Sequence, residues 1–411
     1  MTWNRRYEFK AVGLLALGLG LVGLDRFLIN PLFPVMQKDL GLNYQDLGLI
    51  SGVLALTWGL ASVYAGRLAD RIGRKKVLVV ALTLFSLLVA TTGLASGLIS
   101  LLTIRALMGL AEGAYVPPSI VATVMAAKPA RVGLMTGIQQ MAMPLVGLGL
   151  GPVLAVALLK VVPSWHWVFA VAALPGLVLA VVMAKVLHDD ATPAVAQQSA
   201  PPQSGRWPEV LHYRDVIVNT AAMVCYLTCM ITLGAFMPNY LTDHLHLSLD
   251  QMSLVLAGMG GGSAGLLILP ALSDRFGRKP VMVVALVIEL IALGLLPGMG
   301  AEPGRLFAIL LVAMFMNAGV VGITVGPLTS GAVPRHLATT ATGIVVGVGE
   351  VLGGAMAPAV AGAMAHRLGI EVILAIALAA CAAALALVAL GVRELGAPQP
   401  HTKYSTEEGR S

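Results

Sequence analysis

Asp25 and Arg26 stand side by side inside the apolar run from Val12 to Leu32, and Arg105 and Glu112 share a second apolar run between residues 99 and 126. Each such charge costs roughly 2.5–3.5 kcal/mol at the centre of a bilayer, so its presence points to use. A guanidinium keeps its proton and offers a planar fork of donors that matches a carboxylate. Arg26 and Arg105 are therefore candidates to hold an anionic substrate. Asp25 and Glu112 can be neutralised, which makes them candidate proton carriers; an acid paired with an Arg would release it on taking a proton. Neighbours on a helix point about 100° apart, so Asp25 can face a partner helix while Arg26 faces a cavity. Arg105 and Glu112 project from one helix face, two turns apart. The alternative is a purely structural Asp/Glu–Arg network tying the two helices together.

Other intramembrane polar groups are few. Glu350 lies among Gly347, Gly349, Gly353 and Gly354, a thin-walled stretch expected to face a cavity. It reads as a third titrating group, a counter-charge for Arg26, or a contact for a cationic part of a substrate. Asn317 is expected to hydrogen-bond either substrate or a neighbouring helix. Glu289 reads as a structural partner, and Cys225 and Cys229, at i,i+4 spacing, as packing residues without the further ligands a metal needs. No metal and no cofactor is expected, the proton being the coupling ion.

The elements that must position these groups follow from composition. The 411 residues are 58% hydrophobic and 11% charged, with mean hydropathy +0.87, more apolar surface than a soluble chain can hide. Twelve apolar segments approach the ~20 residues needed to cross hydrocarbon. They span 11–34, 46–66, 77–96, 99–126, 133–159, 165–187, 215–241, 250–272, 281–299, 304–332, 337–363 and 369–392. The net charge of +6 would suggest nucleic acid in a soluble protein, but the basic residues fall in alternate loops, which argues against such a partner. Lys38, Lys160, Arg305 and Arg367 fall on one side, Arg26 and Arg105 lie within helices, and the other Lys and Arg fall on the side of the termini. By the positive-inside rule both termini are cytoplasmic, in a multi-pass protein of the cell inner membrane. The polar start Met1–Lys10 leads into a first helix too long for a cleavable signal, so that helix is expected to remain.

The chain also repeats itself. Gly66-Arg-Leu-Ala-Asp70-Arg71-Ile-Gly73-Arg74-Lys75 follows the second segment, and Pro270-Ala-Leu-Ser-Asp274-Arg275-Phe-Gly277-Arg278-Lys279 follows the eighth. A six-helix unit used twice predicts bundles at 1–187 and 214–393, joined by an Ala/Pro/Gln/Ser-rich linker at 188–213 and followed by a tail at 394–411. The repeated loop resembles the major facilitator superfamily motif G-x-L-x-D-R-x-G-R-K, and Arg105 with Gly109 resembles that family's second motif. The resemblance implies an all-α membrane protein, twelve transmembrane helices in two pseudo-symmetric six-helix bundles rocking about a midplane site. It makes Gly66, Asp70, Arg71, Gly73, Arg74, Asp274, Arg275, Gly277 and Arg278 a gating motif, although Pro270 departs from the pattern where the first copy has Gly66.

A narrower resemblance lies in Leu24-Asp25-Arg26, in Arg105-Ala-Leu-Met-Gly109-Leu-Ala-Glu112 with Pro117 beyond it, and in Ser164-Trp165-His166-Trp167-Val168-Phe169. These look like the organic-anion:proton symporters, which include sugar-acid carriers of the D-galactonate and hexuronate type. The resemblance implies proton coupling at Asp25 and Glu112, with substrate or network roles for Arg26 and Arg105. It also puts Trp58 where that family has a substrate-facing aromatic and Gln139 near its polar residue. The expected function is therefore proton-coupled symport of a small organic anion or carboxylate by alternating access, by a monomer that is not an enzyme. Two rival readings stand beside it. Asp-Arg-Phe in the first helix and Glu before Ala-Tyr in the fourth also resemble spinster-type lysolipid carriers. Gly147-x-x-x-Gly151-Pro152 is a partial match to the motif of proton-driven exporters of drugs or amphiphiles, or else a packing and kinking device.

Overall fold

A computed structural model describes residues 4–188, 207–334 and 337–393. Within them, twelve helices are long and apolar enough to cross a membrane. They are α1 Arg5–Leu40, α2 Tyr44–Ile72, α3 Arg74–Thr92, α4 Leu98–Ala126, α5 Pro129–Val161, α6 Trp165–Val186, α7 Arg214–His244, α8 Leu249–Phe276, α9 Arg278–Gly298, α10 Pro303–Gly331, α11 Thr340–Leu368 and α12 Val372–Gly391. No strand occurs among the described residues, as expected where hydrocarbon forces each segment to satisfy its own backbone. The chain is an all-α, multi-pass membrane protein. The expected tail 394–411 and most of the expected linker 188–213 lie outside the described residues, which resume in a short helix at Trp207–Val210.

The ends of the helices follow local chemistry that hydropathy alone does not register. Hydropathy starts α1 at residue 11, yet the helix begins at Arg5, because the Asn4 side chain accepts from the N–H groups of Arg6 and Tyr7. Glu8, wholly buried, completes that start by accepting from the Lys128 backbone N–H at 3.0 Å and Arg131 Nη2 at 2.9 Å. A capping box of Asn43 and Asp46 opens α2, and one of Ser248 and Gln251 opens α8. The two copies of the repeated loop turn in the same way: Gly73 and Gly277 have φ of 97° and 91°, a conformation that favours glycine.

Several spans are broken by π-helical turns, at Leu145–Leu150, Tyr240–His244, Thr324–Leu328 and Glu350–Met356. Pro144, Pro238 and Pro327 lie in or just before the first three, where a missing N–H already interrupts the ladder.

Helices α1–α6 and α7–α12 meet most closely towards the face opposite the termini. There α5 crosses α8 at Gly149 and Gly260, so closely that a Cβ on either would lie 2.8–3.0 Å from the other's Cα. On the other side α2 lies against α11, where a Cβ on Gly52 would come 2.6 Å from the Ala355 carbonyl oxygen. An ion pair from Lys160 to Asp250 joins the ends of α5 and α8 on that face. Towards the termini, by contrast, a Cβ on Gly347 of α11 would meet nothing within 4 Å. The molecule is closed by packing at one end and has room along α11 at the other.

Candidate functional site

The charged groups of α1, α4 and α11 gather where α1 is irregular. Regular α-helix stops at Phe27 and restarts at Ile29, ahead of Pro31 and Pro34, which carry no N–H. The Asp25 and Arg26 carbonyls there accept from Arg105 Nη1, at 3.0 and 3.4 Å. Arg105 is 1% exposed, and its Nε and Nη2 have no hydrogen-bond partner. Arg26 reaches the other way, across the interface between the halves, and its Nη2 donates to Glu350 Oε2 at 3.0 Å. Its guanidinium also sits 5.6 Å from the centre of the Trp58 ring, within cation–π range.

The acids divide. Glu350 opens the π-helical turn of α11 and is the ion-pair partner of Arg26. Glu112 is fully buried with no donor on either oxygen. Asp25 is 3% exposed and makes no ion pair among the described residues, while lying within electrostatic reach of Arg105 and Glu112. The expected carboxylate–guanidinium ties between α1 and α4 are therefore replaced by bonds from Arg105 to the α1 backbone. Arg26, Arg105, Asn30 and Ser51 line one cavity with apolar residues of α1, α2 and α7. Its volume of about 20 Å³ holds a single water and nothing larger.

Other expected residues fall elsewhere. Gln139 is buried on α5 and donates to Ser119 Oγ of α4 at 3.0 Å, outside the lining of this cavity. Asn317 lies inside the second half, donating to Glu289 Oε1 at 2.8 Å and to the Tyr226 carbonyl at 3.4 Å. Of the two expectations for Asn317, the neighbouring helix is what it meets. Cys229 Sγ completes that group at 3.4 Å from Glu289 Oε1, which fits the structural reading of Glu289 and the packing reading of Cys229.

Of the repeated motif, Arg278 Nη1 donates to the Pro327 carbonyl of α10 at 2.6 Å, and Arg74 Nη1 to Met125 Sδ of α4 at 2.8 Å. Arg71, Asp274 and Arg275 are exposed, and Asp274 makes no ion pair among the described residues. Gly66 and Asp70 lie in α2, and the Asp70 side chain is outside what is described.

Sequence reasoning passed over Asn30. Its Nδ2 donates to the Gly234 carbonyl of α7 at 2.9 Å and its buried Oδ1 has no partner. The signal that could have found it is an amide in the same apolar run as Asp25.

The model of the Major Facilitator Superfamily matches residues 15–345 and 218–410, nearly the whole chain. The chain belongs to that superfamily. A hexuronate transporter of Bacillus subtilis (strain 168) is 26% identical over 314 residues, covering 71% of this chain and 73% of its own. The 3-(3-hydroxy-phenyl)propionate transporter of Escherichia coli (strain K12) is 28% identical over 368 residues, 86% of each chain. Among solved structures, a bacterial homologue of the human lysosomal transporter Spinster, inward-facing and unoccupied, superposes with a TM-score of 0.73 at 13% identity. It covers 95% of this chain and 96% of that one, a likeness of fold. The superfamily and these relatives are transporters, and so is this chain; it is not an enzyme.

Proposed function

We propose that the protein takes up a small organic anion, a carboxylate, together with protons, by alternating access in the cell inner membrane with both termini cytoplasmic. One observation carries the reading: Arg26 and Arg105 line a single cavity, and Arg26 is held there by Glu350 from the other half. Once rocking of the bundles widens that cavity beyond the single water it holds here, an anion entering it competes with Glu350 for Arg26 and finds the unpartnered Nε and Nη2 of Arg105. A proton on Glu350 removes the competitor. Asp25 and Glu112, whose charges no ion pair answers, are the further proton-coupling groups, and Trp58 packs the guanidinium that the substrate meets. That two relatives carry the names of a hexuronate and a hydroxyphenylpropionate transporter supports an acid as cargo.

Under this reading the closed face is the outer one. The bundles 1–187 and 214–393 rock about the Arg26 cavity, and the motif residues Arg71, Arg74, Asp274, Arg275 and Arg278, with Gly66, Asp70, Gly73 and Gly277, meet when the inner end closes. In the partial exporter motif on α5, Gly147 has a packing use of its own: a Cβ there would come 2.5 Å from the Gly23 carbonyl oxygen of α1.

Purified protein in proteoliposomes with an internal pH dye tests the reading. Added carboxylate is expected to acidify the lumen as it enters; alkalinisation would mean antiport, and transport with no pH change would remove the proton. Arg26→Ala is expected to abolish the carboxylate-dependent thermal shift, and an unchanged shift would refute the anion site. With a monoanion, two protons per cycle make uptake sensitive to voltage, at about 2.3 kcal/mol per 100 mV for the one net charge, whereas one proton leaves it indifferent.

A further inference from the structure

The cavity residues handle cargo, and a second cluster of polar contacts between the halves lies farther out, towards the face opposite the termini. The Asp243 carboxylate accepts from Tyr44 Oη at 2.8 Å, Asn239 Nδ2 at 3.0 Å, Gln37 Nε2 at 3.3 Å and Thr242 Oγ1 at 3.0 Å. Gln37 ends α1 and Tyr44 begins α2, whereas Asn239, Thr242 and Asp243 belong to α7. Asn239 is fully buried and also donates to Gln37 Oε1 at 3.2 Å.

Local structure presents the carboxylate. Asp243 lies in the π-helical turn Tyr240–His244, a departure from the α-helical ladder that often marks a working site. Hydrogen bonds to an ionised acceptor are shorter and stronger than neutral ones. A single acidic group thus gathers two donors from the first half and two from its own helix.

We propose that Asp243 is the latch of the gate at the face opposite the termini, holding α7 to the α1–α2 corner whenever that face is shut. Opening the face separates α7 from α1 and α2, so Tyr44 and Gln37 leave the carboxylate together. The latch lies beyond the cargo cavity, since Gln37 and Asp243 stand about two helical turns past Asn30 and Ala235, which line it. It sets how often the closed face opens and takes no part in choosing the cargo. Gln37 and Tyr44 are its partners.

The proposal rests on the alternating-access part of the reading above and is independent of what the cargo is. The test uses the full chain with Cys225, Cys229 and Cys381 replaced by Ala and one reporter thiol at a time. Ala235→Cys reports on the cavity wall under the latch, and Gly347→Cys, one helical turn from Glu350 and facing open space, reports on the other end. A membrane-impermeant maleimide is applied from each side.

Asp243→Asn is expected to speed labelling at residue 235 from the face opposite the termini roughly tenfold, as when one or two charge-assisted hydrogen bonds are lost. Labelling at residue 347 from the termini side is expected to slow. Tyr44→Phe, which keeps the ring and removes one donor, is expected to do the same to a lesser degree, and it carries the test if Asp243→Asn is poorly made. Unchanged labelling at residue 235 would overturn the latch. So would a rise there with no fall at residue 347, which would mean local fraying. Carboxylate binding measured on the same variants keeps the two proposals apart: its absence in the parent protein would refute the cargo and leave the latch standing.

Discussion

Replacing Glu350 by Gln keeps the shape of the group facing Arg26 and removes its charge. Arg26 is then free for an anion at every pH, so binding is expected to survive while the proton drive weakens. The expected outcome is at least about a tenfold loss of gradient-driven accumulation, the size set by one buried charged hydrogen bond, with counterflow exchange retained. Isotope uptake measured with and without a pH gradient checks this; full accumulation in the variant would exclude Glu350 from coupling. At this scale the sequence was partly legible. The cost of charge in hydrocarbon picked out Arg26, Arg105 and Glu350, and the structure puts the three in or beside one cavity. Their partners were not legible. Arg105 bonds to carbonyls where α1 is interrupted; Pro31 and Pro34 mark a break in the ladder, but residue types do not say which side chain meets it. Asn317 shows the converse: an amide in a membrane helix must find a partner, and the sequence cannot say whether that partner is substrate or Glu289.

Between elements, close approach matters more than charge. At the Gly149–Gly260 crossing, the backbones of α5 and α8 meet with no room for a side chain. Gly149→Val is expected to push the helices apart and destabilise this closed form by about 1–3 kcal/mol, as overpacking does elsewhere. Thermal unfolding in detergent reads this as a lowered Tm, and Gly347→Val, at a position with open space, serves as the control expected to leave it unchanged. Hydropathy placed all twelve spans, since length and apolarity are what a bilayer demands. It set some ends to within a residue, as for 99–126 against Leu98–Ala126 and 165–187 against Trp165–Val186, and missed others. The start of α1 depends on an Asn4 cap and a buried Glu8, which lower apparent hydropathy where the helix has already begun. The π-helical turns were likewise unannounced, although the prolines beside three of them were in view.

For the whole molecule, the repeated loop and the charge asymmetry were enough to reach a twelve-helix fold of two related halves. Which face is shut was not readable, because one sequence must support both states of a gate with small free-energy differences between them. The Arg26–Glu350 pair joins residues 324 positions apart, and this has a consequence for the order of synthesis. At roughly 5–20 residues per second, translation leaves Arg26 in the membrane for tens of seconds before Glu350 exists. The nascent first half therefore waits with an unpaired cation, and a chain stopped after α6 waits for good. Expressed alone, residues 1–187 are expected to be degraded quickly; Arg26→Met should lengthen their lifetime in a pulse-chase experiment, and so should co-expression of residues 214–411. The pair that readies the cavity for an anion would then also serve as the signal that the second half has arrived.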